Sequence, residues 1–279
     1  MSDPLSGTED LLVLLVAALL PALLYLSWVR RTEPFEREPW GRILGAFAWG
    51  AFFATLVAAI LEAILISAGG ALSSDIPQPE FGFLNAKSPW NIFFIVLVIA
   101  PFVEEGLKAG GMIRSLGPLR SIADGPVIGA SVGLGFGFFE TFLYGLVAFL
   151  AGGLEAGIGL IIIRSVSSVL LHGSSTAMFG YGYAKGQVEN RGVLAPAYYL
   201  VAVGMHASFN FLASLAAFLP LVGIHFVDAT TASLIGFLLA VGFAFAAIEH
   251  VRDLIGRSSY PGAQGAHPRF RPPPPVRRV

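Results

Sequence analysis

Apolar runs of about 20 residues recur from one end of this 279-residue chain to the other, and nothing else in it restricts the fold so severely. A helix that crosses the hydrocarbon core of a bilayer needs about 20 mostly apolar residues. It must be a helix, because lipid offers no partner for unpaired backbone N–H and C=O groups. Seven segments meet the requirement, at roughly 10–29, 43–69, 91–112, 124–150, 158–184, 194–219 and 229–250. Only 13% of the residues are charged and 55% are hydrophobic, with a mean hydropathy of +0.74. A water-soluble domain carries about 25% charged residues. The expected fold is therefore all-α, a polytopic transmembrane bundle of about seven helices.

The connections between the runs are short and polar or turn-rich, as at Pro77-Gln78-Pro79, Gly152-Gly153 and Gln187 to Arg191. Alternate connections are basic: Arg30, Arg31, Arg37 and Arg42 in the first, Arg114 and Arg120 in the third, Lys185 and Arg191 in the fifth. The intervening ones hold only Lys87. By the positive-inside rule the amino terminus lies outside and the carboxyl terminus in the cytoplasm. The acidic flank from Asp3 to Asp10 is unlike a secretory signal, so the first run is read as a retained helix. Residues 1–257 form one membrane domain. The Pro/Arg-rich tail 258–279, with Pro272 to Pro275 in a row, is expected to be a disordered cytoplasmic extension. A net charge of −1 gives no reason to expect a nucleic-acid partner, and the absence of cysteine excludes a thiolate nucleophile.

Charged side chains at mid-membrane cost about 2.5–3.5 kcal/mol each on insertion scales and mark partners or function. This chain has many: Glu62, Glu104, Glu105, Lys108, Glu140, Arg164, His172 and His206, with Asn210 beside them. At 1.5 Å per residue, Glu104, Glu140, His172 and His206 fall within roughly 5 Å of the midplane on four consecutive helices. Glu104 and Lys108, four apart, share a face, whereas Glu105 is turned by about 100° from Glu104. One carboxylate is expected to face a site and the other to be held by Lys108 or a neighbouring helix. Arg164, Ser168 and His172 form a row at intervals of four that can hold a carboxylate or orient the imidazole. Asp124 reads as a helix N-cap, and Gly129, Gly133 and Gly137 form a small-residue stripe for close helix packing that leads to Glu140. Glu62 is read as a structural partner of another helix, and His225, His250 and His267 as packing or solvent-exposed residues.

A carboxylate with two imidazoles suits water activation, with imidazole and amide groups stabilising the oxyanion as water adds to a peptide carbonyl. Glu140, His172 and His206 also equal the ligand set of hydrolytic zinc sites. The His-Glu-x-x-His spacing of helical zinc proteases is absent, so ligands must come from separate helices and zinc stays open.

Taken together, these residues resemble the PrsW family of intramembrane proteases over about residues 100–215. Glu104-Glu105-Gly106-Leu107-Lys108 resembles its Glu-Glu-x-x-Lys motif and Phe136 to Glu140 its Phe-x-x-x-Glu motif. Arg164, Ser168 and His172 match the third motif, and His206 to Asn210 the His-x-x-x-Asn motif. Thr141 departs from the Asn that members often carry there. The family is related to the CAAX prenyl proteases and to the non-catalytic APH-1 subunit of gamma-secretase. The resemblance implies an endopeptidase in a prokaryotic plasma (inner) membrane that cuts a membrane-anchored protein of the anti-sigma-factor kind. It implies that Glu104 or Glu105 activates water, that Glu140, His172 and His206 complete the site, and that Asn210 assists. Lys108, Arg164 and Ser168 would support them. Two other functions fit the same polar residues: a non-catalytic membrane scaffold and an ion-coupled transporter.

Overall fold

The computed structural model describes residues 4–34, 37–73 and 88–259, all of them helix or short connection. The turn at Pro77, the connection residue Lys87, His267 and the tail beyond Ser259 lie outside the described residues.

Helix α1 (Pro4–Thr32) is followed by a long rod made of α2 (Trp40–Ala48), a π turn (Trp49–Ala54) and α3 (Thr55–Ser73). The next rod joins α4 (Pro89–Phe94), a second π turn (Ile95–Ile99) and α5 (Ala100–Ser115). Then come α6 (Asp124–Ser165), α7 (Ser168–Val188), α8 (Leu194–Ala213), the short α9 (Leu215–Phe218) and α10 (Ala229–Ser258). Pro101 explains the second π turn, since it has no N–H to give the carbonyl four residues back and the ladder must shift.

The buried faces are read directly from spacing. On α1 they are Leu14, Ala18, Ala22, Leu26 and Val29; on α10, Ala240, Ala244, Ile248, Val251 and Ile255. Opposite faces are large and exposed, with Leu12, Val16, Leu20 and Leu24 on α1 and Leu234 and Leu238 on α10. In lipid this inversion is favourable, because association rests on close backbone approach rather than on hiding apolar surface. Helix α1 packs along α6, and α10 along α7 and α8.

The glycine stripe is the spine of the bundle. Gly125 lies against Gly180, Gly129 against Thr176, Gly133 against His172 and Gly137 against Val169, an antiparallel pairing of α6 with α7 in constant register. On the other face of α6, Gly135 meets the backbone of Phe47, while Gly50 meets that of Val132. A side chain at any of these contacts would push two helices apart.

Four stretches are long and apolar enough to cross a membrane: Gly7–Thr32, Trp40–Ser67, Asp124–Val188 and Ala229–Ser258. A fifth exists if Leu194–Ala213 and Leu215–Val222, bent by 70°, count as one. The 65-residue third stretch is not a single rod. Gly153, at φ 80° and ψ −176°, reverses the chain, so that Gly157 and Ile161 return to Gly145. The Gly152-Gly153 connection expected from sequence is thus a tight hairpin inside α6. The bundle is all-helical, as expected, and the stretches that pass as spans number fewer than seven partly because residues 124–188 count as one and α8 with α9 forms a bent pair.

Two local expectations change. Asp124 does not cap α6; its carboxylate accepts from the backbone N–H of Arg120 (2.6 Å) and Ser121 (3.1 Å), closing the turn in front. The expected run 158–184 is interrupted at Val166 and Ser167, where the chain leaves α6 and α7 begins. The basic connections collect at one end of the bundle. There Arg120 and Arg42 each hold Glu38 at 2.6 Å, Arg30 donates to the Glu38 carbonyl and Arg252 donates to Thr32.

Candidate active site

Helices α5, α6, α7 and α8 bring Glu104, Glu140, His172 and His206 to the wall of one cavity of about 380 Å³. Its other walls come from α3, the second π turn and the end of α8. Lys108, fully buried, is the hub beneath it. Its ammonium lies 2.8 Å from Glu105, 2.9 Å from His172 Nδ1 and 3.4 Å from Glu104, and 4.3 Å above the ring of Phe136. That contact gives a reason for a Phe four residues before Glu140. One turn of helix puts the ring under the ammonium and the carboxylate into the cavity.

The two adjacent carboxylates separate as their 100° offset requires. Glu105 turns inward and accepts from Ser175 (3.0 Å), His206 Nδ1 (3.1 Å) and Thr176 (3.4 Å), and is 1% exposed. Glu104 lines the cavity. Ser175 and Thr176 were not singled out in the sequence, although they stand three and four residues after His172 and so share its helix face.

Glu140 is held by Arg164 at 2.6 Å and by His172 Nε2 at 2.8 Å. Arg164 also donates to Ser168 (2.9 Å) and covers the ring of Tyr144 at 4.1 Å. The Arg164–Ser168–His172 row is not one helix face, since the break at residues 166–167 lies within it. The three groups still meet, because the Gly153 hairpin carries Arg164 back to Glu140. With Nε2–H donated to Glu140, the Nδ1 lone pair of His172 faces Lys108 and the Glu104 side (3.9 Å). The imidazoles of His172 and His206 stand edge to face with centroids 5.0 Å apart.

Asn210 lines the cavity, and its amide donates to the Val96 carbonyl at 2.7 Å, a group in the second π turn. Here it braces the wall, where an oxyanion donor was expected. Glu62 differs more. The sequence suggested a partnered structural residue, but it lines the cavity and its buried Oε1 has no hydrogen-bond partner among the described residues. His225 and His250 are exposed, and Ser208 only donates to the Gly204 carbonyl one turn back.

Glu104, His172 and His206 each offer one ligand atom, all within 4.8 Å of one another, and all three residues are buried. The carboxylate in this group is Glu104, where the sequence suggested Glu140. Two imidazoles and a carboxylate are the donors of a hydrolytic zinc site. Four carboxylates, Glu62, Glu104, Glu105 and Glu140, stand against two basic side chains, Lys108 and Arg164, so the cluster offers negative oxygens to a cation. Glu140 then occupies the outer position that orients a ligating histidine. In kind the donor set suits a metal; for His172 Nδ1 to ligate, the Lys108 ammonium 2.9 Å away would have to swing aside.

No curated protein and no solved structure matches the chain. Residues 38–241 match the family described as "PrsW family intramembrane metalloprotease", a span that contains every side chain of the site. This is most of the chain, and it belongs to that family of membrane-embedded peptidases.

Proposed function

We propose that this enzyme hydrolyses a peptide bond in a membrane-anchored protein of a prokaryotic plasma membrane, at the Glu104/His172/His206 cluster. The observation that carries the reading is the convergence of those three donors, from three helices, on a cavity in the interior of the bundle. A transporter has less use for donors drawn so close together, and a scaffold has no use for the cavity.

Glu104 and the two imidazoles hold and orient the attacking water. When bound there, a divalent metal supplies Lewis-acid polarisation of water and carbonyl. Glu140 fixes the tautomer and tilt of His172, while Arg164 and Ser168 fix Glu140. Lys108 and Glu105 clamp α5 to α7 and α8 from below, which keeps Glu104 at the cavity wall. Displaced from the Val96 carbonyl, the Asn210 amide would be available to a developing oxyanion. An anti-sigma-factor-like substrate follows from family resemblance alone.

The test uses purified protein in liposomes with a pool of single-span peptides, and mass spectrometry of the products. Wild type is expected to cut within or beside the apolar stretch. Glu104→Gln and His172→Ala are expected to lose at least about 10²-fold in rate. Unaltered cutting by both variants would rule the assignment out.

A further inference from the structure

Peptide hydrolysis needs a group that takes a proton from water and returns one to the departing amine. The described carboxylates of the cluster are mostly committed elsewhere. Glu105 is bound by Lys108, His206 and Ser175; Glu140 by Arg164 and His172; Glu104 lies beside Lys108. A lone pair already accepting from a cation is a poor proton acceptor. Glu62 alone offers an oxygen that is buried, unpartnered among the described residues, and on the wall of the same cavity.

Its setting supports the role. Thr55, Ala58, Ala59 and Glu62 form one face of α3 that lines the cavity, while Leu61, Ile64 and Leu65 face outward. The two alanines keep this wall of the cavity free of bulky side chains beside the carboxylate. A carboxylate oxygen buried without a partner, as Oε1 is in half-buried Glu62, is also a poor choice for packing, since it forgoes hydration without gaining a hydrogen bond.

We propose that Glu62 is the catalytic proton carrier of this peptidase, serving the water held by Glu104, His172 and His206; the inference rests on the hydrolytic reading above. As the water oxygen bonds to the carbonyl carbon, its O–H breaks and the proton passes to the Glu62 carboxylate. The carbonyl π pair moves onto oxygen. Collapse re-forms the C=O, breaks the C–N bond, and sends the proton from Glu62 to the amine nitrogen. Glu62 ends as the carboxylate it began as, and the products are one acid and one amine.

The experiment takes a single-span peptide that wild type cleaves in the liposome assay and compares Glu62→Gln, Glu62→Asp and Glu104→Gln. Gln matches Glu in shape, and no partner is lost, so the thermal midpoint of Glu62→Gln should equal or exceed that of wild type. Its kcat should fall about 10²–10⁴-fold with KM nearly unchanged, and Asp should restore part of the rate. A Glu62→Gln rate within about threefold of wild type, or a loss confined to KM, overturns the proton-carrier role. An active Glu104→Gln would instead overturn the peptidase site itself, so the two failures are separable.

Discussion

Glu33 illustrates how a carboxylate behaves at the basic end of the bundle, outside the spans. It is 2% exposed, follows α1 directly and accepts from the Glu38 N–H at 3.2 Å. Burial first, and the negative charge of Asp124 second, push its carboxyl up to about 7 from an ordinary 4.5. The folded protein thus holds a proton that the unfolded chain releases above about pH 4.5. This favours folding fully at low pH and is lost as pH rises towards 7. The span corresponds to at most about 3 kcal/mol. Glu33→Gln should flatten the decline in thermal midpoint between pH 5 and 8; an unchanged decline would assign it to another group. At the site, the residue types were legible because charges are rare in apolar runs. Their partners were less so. Local spacing predicts that Lys108 reaches Glu104, but not that it also meets His172, 64 residues away.

The elements show where sequence periodicity stops being informative. Apolar runs revealed the rods, and the Gly129, Gly133 and Gly137 spacing revealed which face of α6 packs closely, but not that α7 answers it in antiparallel register. The break at residues 166–167 carries no glycine or proline, so nothing local announces it. The π turns are similarly quiet, apart from Pro101. Gly153 is the clearest structural demand: its φ of 80° with ψ of −176° lies where essentially only glycine is at ease. An added Cβ there would meet no atom within 4 Å, so the cost of Gly153→Ala is backbone strain alone. We expect a loss of about 1–3 kcal/mol in unfolding measured in detergent, together with weaker cleavage as Arg164 drifts from Glu140. A variant as stable as wild type would show that the hairpin does not depend on this residue.

For the whole molecule, the architecture serves one purpose. Rods with apolar outer faces and a largely apolar core gather their buried carboxylates and imidazoles around one cavity of about 380 Å³. It is roomy enough for water where lipid would otherwise exclude it. The α4–α5 rod gives up apolar character to deliver Glu104, Glu105 and Lys108, and Lys108 holds that rod to α7. The most direct test of this design counts zinc bound per chain by elemental analysis of purified protein, before and after dialysis against a chelator. Wild type should bind one zinc per chain and lose proteolysis when stripped, whereas Glu104→Gln, His172→Ala and His206→Ala should each bind far less. Undiminished zinc in all three variants would contradict the claim that these donors form a single centre.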